Sequence, residues 1–155
     1  MINESKLGEH YQNIANKLNE IVPADWDEIV MYGEELGDVS LVGFYFKPCS
    51  EDKYRYGGMI PDEYGIGLNE YFARLDILSE SVNSFWKAFV DSDMPKWEAI
   101  TFRLNSKNNF KVKFDYQINR EISGFEREIC WAYNELGIIP EDEFSKKILE
   151  EYLAE

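Results

Sequence analysis

Apolar residues recur every three or four positions in four stretches of the chain, a spacing that places them along one side of an α-helix. The first stretch covers residues 7–21 and the longest covers residues 68–90. Two more follow near the C-terminus, at about 123–136 and 140–154. The last stretch opens on Pro140, which suits the first turn of a helix because it has no backbone N–H to leave unpaired. The pattern therefore predicts about four helices.

The segment between the first two helices has the pattern of a hairpin and a short third strand. Residues 26–36 and 39–46 are rich in strand-forming side chains, and the dipeptide Gly37-Asp38 between them suits a turn. A short strand is predicted near residues 53–56. The glycines and charged residues that follow it predict a loop up to residue 67.

A second hairpin is predicted from alternation of apolar and polar residues. Residues 100–104 and 110–116 both alternate, with a polar turn between them. Hairpins between helices, rather than single strands, favour an antiparallel sheet. The sequence thus predicts an α+β fold: an antiparallel sheet of about five strands (two hairpins plus a short strand) with about four helices packed mainly on one face.

Size and composition predict one domain. The chain has 155 residues, of which 45% are apolar and 15% aromatic, enough for a self-sufficient core over residues 1–155. Its start lacks the basic head and apolar stretch of a signal peptide. No apolar run approaches the roughly 18 residues of a membrane span. We therefore expect a cytoplasmic protein without a membrane partner; the pattern does not indicate whether it self-associates.

The charge is strongly one-sided. Thirty acidic residues oppose sixteen basic ones, which gives a formal net charge of −14. Phosphate recognition depends on lysine and arginine, so this excess argues against direct nucleic-acid binding. It favours a basic partner, although acidity also serves solubility alone.

The inventory of reactive groups is small. His10 is the only histidine, and its position at the margin of the first helical stripe favours a structural role. Cys49 and Cys130 are too far apart in sequence for a typical zinc motif. Aspartate pairs at residues 25 and 27 and at 91 and 93 match some magnesium sites, but such pairs arise by chance in an acidic chain. Gly65-Ile-Gly67 lacks the third glycine and the preceding strand of a dinucleotide-binding motif. We therefore expect no catalytic residue, metal or cofactor.

Acidic residues and tyrosines concentrate around the first hairpin and the loop after it. Hairpin tips and loops commonly present binding groups, and tyrosine is frequent at protein interfaces. The alternative is that these tyrosines pack beneath helices. The residues predicted to bind a partner are Glu34, Glu35, Asp38, Tyr45, Tyr56, Asp62, Glu63 and Tyr64.

Five blocks of the sequence resemble a known family. They are IANKLNEIVPADWD at residues 14–27, YFKP at 45–48, IPDEYG at 60–65, FKVKFDY at 110–116 and ELGIIPEDE at 135–143. In this order they are similar to the YezG-type immunity (antitoxin) proteins of Gram-positive bacteria, over nearly the whole chain. None of the blocks is a catalytic motif.

The resemblance implies an immunity protein that binds and neutralises a cognate toxin, typically a nuclease domain at the C-terminus of a secreted LXG-type or related protein. A nuclease must present basic groups to phosphates, which agrees with an acidic inhibitor. Two alternatives stay open at this point: a small adaptor or chaperone for a secreted partner, and an enzyme that acts through paired carboxylates. Inhibition at the toxin's active site and at a remote site are equally compatible with the sequence.

Overall fold

The computed structural model describes residues 3–155. The chain divides into two compact units, a first that ends at Gln117 and a second that comprises Ile118–Glu155. Each unit is described by itself, and the single domain expected over residues 1–155 stays a prediction. Within the described residues, no helix combines the length and the hydropathy that a membrane span requires.

The first unit contains a five-stranded antiparallel sheet. Its strand order is β3–β2–β1–β4–β5, so both predicted hairpins are present and their inner strands pair with each other. Tyr32 in β1, for example, lies between Gly43 of β2 and Thr101 of β4. The strands are β1 (Trp26–Glu35), β2 (Ser40–Pro48), β3 (Arg55–Tyr56), β4 (Ala99–Asn105) and β5 (Phe110–Asp115).

Two long helices cover one face of this sheet. α1 (Glu4–Ile21) begins after Asn3, whose side chain accepts a hydrogen bond from the backbone N–H of Lys6 and so caps the helix. α3 (Leu68–Asp91) contacts α1 along its length. Fully buried side chains of both helices, such as Leu18 and Phe85, share one core with the sheet residues Ile29, Met31, Phe44, Phe46, Ile100 and Phe102. The predicted α+β class is therefore confirmed.

Residues 3–155 form five α-helices rather than about four, because the predicted loop before residue 67 contains a short helix. α2 (Ile60–Tyr64) follows a 3-10 turn at Gly57–Met59. Pro61 suits the start of this helix, and Gly65 ends it with φ of 66°, a left-handed conformation that glycine adopts without steric cost. The sequence predicts a loop here because glycines at residues 57, 58, 65 and 67 flank this single helical turn.

The second unit is a pair of helices, α4 (Gly124–Leu136) and α5 (Glu143–Leu153). α5 begins three residues later than the predicted start at Pro140, because Asp142 caps it by accepting a hydrogen bond from the backbone N–H of Ser145. Near the starts of both helices, the ring centroids of Phe125 and Phe144 lie 6.3 Å apart. Near the helix ends, Asn134 donates a 2.9 Å hydrogen bond to the Tyr152 hydroxyl. The two helices therefore run parallel.

Candidate partner-binding surface

An apolar groove lies in the first unit, where β2, the β3–α2 segment and the start of α3 meet. It encloses a cavity of about 130 Å³. One side is formed by Val42, Phe44, Tyr56 and Pro61, and the other by the α3 residues Leu68, Tyr71, Phe72 and Leu75. We call these eight residues the α3 groove.

Several side chains of the α3 groove are open to solvent although they are apolar. Leu68 is 59% exposed, Phe72 52% and Tyr56 42%. Met59, in the turn between β3 and α2, is 44% exposed. Contiguous exposed apolar surface of this kind on a folded protein marks an interaction site more often than it marks chance.

The floor of the α3 groove is rigidly built. Phe44 is 1% exposed, and its ring lies against the backbone of Gly57, where a Cβ atom would approach ring carbons to between 2.5 and 2.7 Å. Tyr45 on β2 pairs with Tyr56 on β3, and their ring centroids are 5.2 Å apart. Because Phe44 is buried and Tyr45 packs against Tyr56, the exposed ring of Tyr56 loses little conformational freedom when a partner binds.

Carboxylates border the α3 groove at α2. Asp62 and Glu63 are exposed and directly follow the lining residue Pro61. Glu63 accepts a hydrogen bond from Arg55, which also binds both carboxylate oxygens of Glu51. The hydrogen bonds from Arg55 hold the pKa of Glu51 below its usual value. Asp62 has no ion-pair partner among residues 3–155, so it is the carboxylate of this border that is available to a partner's cation.

Five of the eight predicted site residues come together in this region of the first unit. Tyr56 lines the α3 groove, Tyr45 supports it, and Asp62 and Glu63 border it. Tyr64 is half-buried, and its ring lies 6.3 Å from the buried ring of Phe46, so it serves mainly to attach α2 to the core.

The remaining three predicted residues lie outside the α3 groove. Asp38 is exposed in the loop between β1 and β2. Glu34 and Glu35 are only 2% and 1% exposed, so the expectation that these carboxylates are presented at the hairpin tip is wrong. They fall within β1, the middle strand, whose side chains are covered on both faces.

Both buried carboxylates have internal partners. The Tyr32 hydroxyl donates a 2.5 Å hydrogen bond to Oε2 of Glu34. Oε2 of Glu35 accepts from the Ser40 hydroxyl at 2.8 Å and from the Asn83 side-chain amide at 3.1 Å. The other oxygen of Glu35, Oε1, is buried and accepts no hydrogen bond from the part of the chain that the structure describes. These two acids are structural.

The sequence reasoning missed the α3 side of the groove. The three-and-four spacing of apolar residues that predicts the helix over residues 68–90 includes Phe72, but the buried stripe runs through Tyr71, Leu78 and Phe85. Phe72 follows Tyr71 directly, so its side chain is turned by roughly 100° from that stripe. The angular offset of Phe72 from the buried stripe is the sequence signal that could have indicated its exposure.

The remaining reactive groups have structural surroundings. His10 is half-buried with its ring 5.3 Å from that of Phe85, and burial lowers its pKa. The Cys49 thiol donates to Asp27 at 3.2 Å, and the bond to this carboxylate raises the thiol pKa. Within the described part of the chain, no group of three or more potential metal ligands converges.

Comparison with known proteins agrees with the resemblance seen in the sequence. The family model described as "Immunity protein YezG-like" matches residues 7–150. The chain is 30% identical to an Immunity protein YezG of Bacillus spizizenii, over 96% of this chain and 93% of that protein. The identity to the Immunity protein YezG of Bacillus subtilis is 31%, over 93% of this chain and 97% of that protein. The Type VII secretion system protein EsaG of Staphylococcus aureus is 29% identical, over 98% and 96% of the two chains. The chain therefore belongs to the YezG-like immunity protein family.

Proposed function

We propose that this protein neutralises a cognate toxin by stoichiometric binding in the cytoplasm, and that the α3 groove is part of its binding surface. The observation that carries the proposal is an exposed apolar groove, bordered by carboxylates, on a member of an immunity protein family. A binding protein needs a site of this composition, because buried aromatic and aliphatic anchors provide most of the affinity of protein interfaces.

The charge of the chain supports a basic toxin, and we propose a nuclease domain. A formal charge of −14 at neutral pH attracts a surface that has evolved to hold phosphates. One relative is named as a protein of a type VII secretion system, which supports a secreted toxin. On this proposal the acidic surface accelerates encounter, whereas the α3 groove determines how long the complex lasts.

The proposal is tested with the protein encoded by the neighbouring gene, as the candidate toxin. Co-expression of the present chain is expected to rescue bacterial growth from the toxicity of this protein. A catalytically inactivated form of the toxin is then expected to form a 1:1 complex with the purified chain, measured by calorimetry. Growth arrest despite full expression of the chain, together with no binding heat, would overturn the proposed function.

The contribution of the α3 groove is tested with two matched serine variants on the same helix. Phe72→Ser removes an exposed ring that lines the groove, and we expect the Kd for the inactivated toxin to rise by about tenfold or more. Ile77→Ser is the control, because Ile77 is 45% exposed on α3 but does not line the groove. Its Kd is expected to change by less than about twofold. Equal effects of the two variants would exclude the α3 groove as the contact surface.

A further inference from the structure

Two phenylalanine side chains form an exposed pair on the second unit. Phe125 and Phe144 are 51% and 71% exposed, and their rings lie 6.3 Å apart at an interplanar angle of 26°. Phe144 is the most exposed of the large apolar side chains in residues 3–155. Stacked rings that face solvent leave apolar area in water which a partner protein can cover.

The pair is held in place by the helix starts. Phe125 and Phe144 each occupy the second position of their helix, α4 and α5. Ser123 and Glu126 cap α4 reciprocally, and Asp142 caps α5. Capped first turns are ordered, so both rings are presented from fixed backbone and lose little freedom on binding. The buried side chains of the same helices, such as Trp131 and Leu149, lie further along α4 and α5, so the two phenylalanine rings do not belong to the buried faces.

The surroundings of the pair are acidic. Residues 118–155 contain ten acidic side chains and four basic ones. Glu126 directly follows Phe125, and Glu141, Asp142 and Glu143 directly precede Phe144. Glu143 lies 3.9 Å from Lys146 in an exposed ion pair, whereas Glu141 has no ion-pair partner within the described chain. A second copy of this acidic unit would be repelled, and a cationic surface would be attracted.

We propose that Phe125 and Phe144 form a second contact surface for the toxin, on the second unit, and that it receives an apolar side chain flanked by lysine or arginine. This inference rests on the proposed function, because it names the same partner. The two rings cover the apolar side chain, and the carboxylates that precede Phe144 bind the flanking cations.

The test measures binding of the inactivated toxin to alanine variants of the full-length chain. Phe125→Ala and Phe144→Ala are each expected to raise Kd by about fivefold or more, mainly through faster dissociation. Leu153→Ala is the control, because Leu153 is also 51% exposed and lies at the opposite end of α5. Its Kd is expected to stay within about twofold of the wild-type value. Far-ultraviolet circular dichroism verifies that all variants are folded.

The electrostatic part of the proposal has its own readout. Glu141→Gln combined with Glu143→Gln is expected to slow association at low salt by a few-fold and to reduce its salt dependence. Unchanged association of this double variant would remove the carboxylates from the contact surface. Both changes remove a charge but preserve the length and shape of the side chain, so the fold is expected to persist.

The outcomes separate this inference from the proposed function. If the wild-type chain binds the toxin and Phe72→Ser weakens binding, but the double variant Phe125→Ala/Phe144→Ala binds normally, the second surface is excluded and the proposed function stands. If the wild-type chain does not bind, both are overturned. A dimer in light scattering that Phe144→Ala converts to a monomer would assign the pair to self-association and also overturn the inference.

Discussion

Phe44 packs so closely against Gly57 that a Cβ atom at residue 57 would lie 2.5 Å from Cζ of the Phe44 ring. The ring is almost fully buried and belongs to the core, so displacing it would disturb its packing against the sheet and the helices. Gly57→Ala therefore forces the 3-10 turn away from the sheet. We expect a loss of about 1–3 kcal/mol in the free energy of unfolding, the usual cost of overpacking, measured by urea denaturation.

Gly67→Ala is the matched control for this change. A Cβ atom at residue 67 would have no heavy atom within 4 Å, and Gly67 has φ of −59°. The free energy of unfolding is expected to change by less than about 0.5 kcal/mol. Equal stability of the two variants would show that the contact of Gly57 with Phe44 is not restrictive.

The fold was predictable to a large extent because local patterns and tertiary packing agree in most elements. The stripe of α1 reappears as a buried face, with Ile14 and Leu18 fully buried as their spacing implies. The alternation of β5 reappears as half-buried apolar residues between exposed polar ones. α2 was not predictable in this way, since five residues are too few to show a helical period. The start of α5 was misplaced because Asp142, a good capping residue, follows Pro140, a good first-turn residue.

The candidate site was predictable only in part, because sequence shows charge but not burial. Asp62 and Tyr56 were selected by composition, and the structure places them at one groove. Glu34 and Glu35 look like surface residues in a sequence, but every residue of β1 from Ile29 to Glu35 is buried. The position of β1 in the sheet follows from pairing between distant strands, which no local pattern reveals.

The hydrogen bond between Tyr32 and Glu34 leads to a stability prediction. Both side chains are buried, at 5% and 2% exposure, and the Tyr32 hydroxyl lies 2.5 Å from the carboxylate. Tyr32→Phe removes the buried donor of this hydrogen bond. We therefore expect the free energy of unfolding to fall by about 1–3 kcal/mol in chemical denaturation. Tyr116→Phe, at a side chain that is 54% exposed, is the control and is expected to have the stability of the wild-type chain.

Tyr54 predicts a change of stability at alkaline pH. Burial, followed by the 2.6 Å hydrogen bond to Glu28, raises the pKa of Tyr54 from 10.0 to about 12. The folded protein thus holds the phenolic proton more tightly than the unfolded chain. The stabilisation is fully present below the unfolded pKa of 10.0 and is lost as the pH rises towards about 12. Because Tyr54 is only half-buried, solvent screening reduces the effect.

Tyr54→Phe provides the measurement. Spectrophotometric titration of the folded variant is expected to lack one phenolate component with a midpoint of about 12. Its thermal midpoint is expected to decline less steeply than that of the wild-type chain between pH 10 and about 12. Identical titration curves for the two proteins would contradict the assignment.

Glu35 combines burial with incomplete hydrogen bonding. It is 1% exposed, its Oε1 accepts no hydrogen bond from residues 3–155, and the side chains that donate to its Oε2, Ser40 and Asn83, are neutral. A buried carboxyl group in this position is costly, because two neutral donors compensate its lost hydration only in part. Glu35→Gln replaces the carboxyl group by an amide of the same shape and preserves one acceptor oxygen for Ser40 and Asn83. We therefore expect the thermal midpoint at neutral pH to rise by a few degrees, measured by differential scanning calorimetry.

Asp38→Asn removes a charge from the exposed loop of the same hairpin and is expected to shift the midpoint by less than about one degree. A lower midpoint for Glu35→Gln would show that the carboxylate contributes favourably to the native state and that its charge is compensated by the surrounding structure.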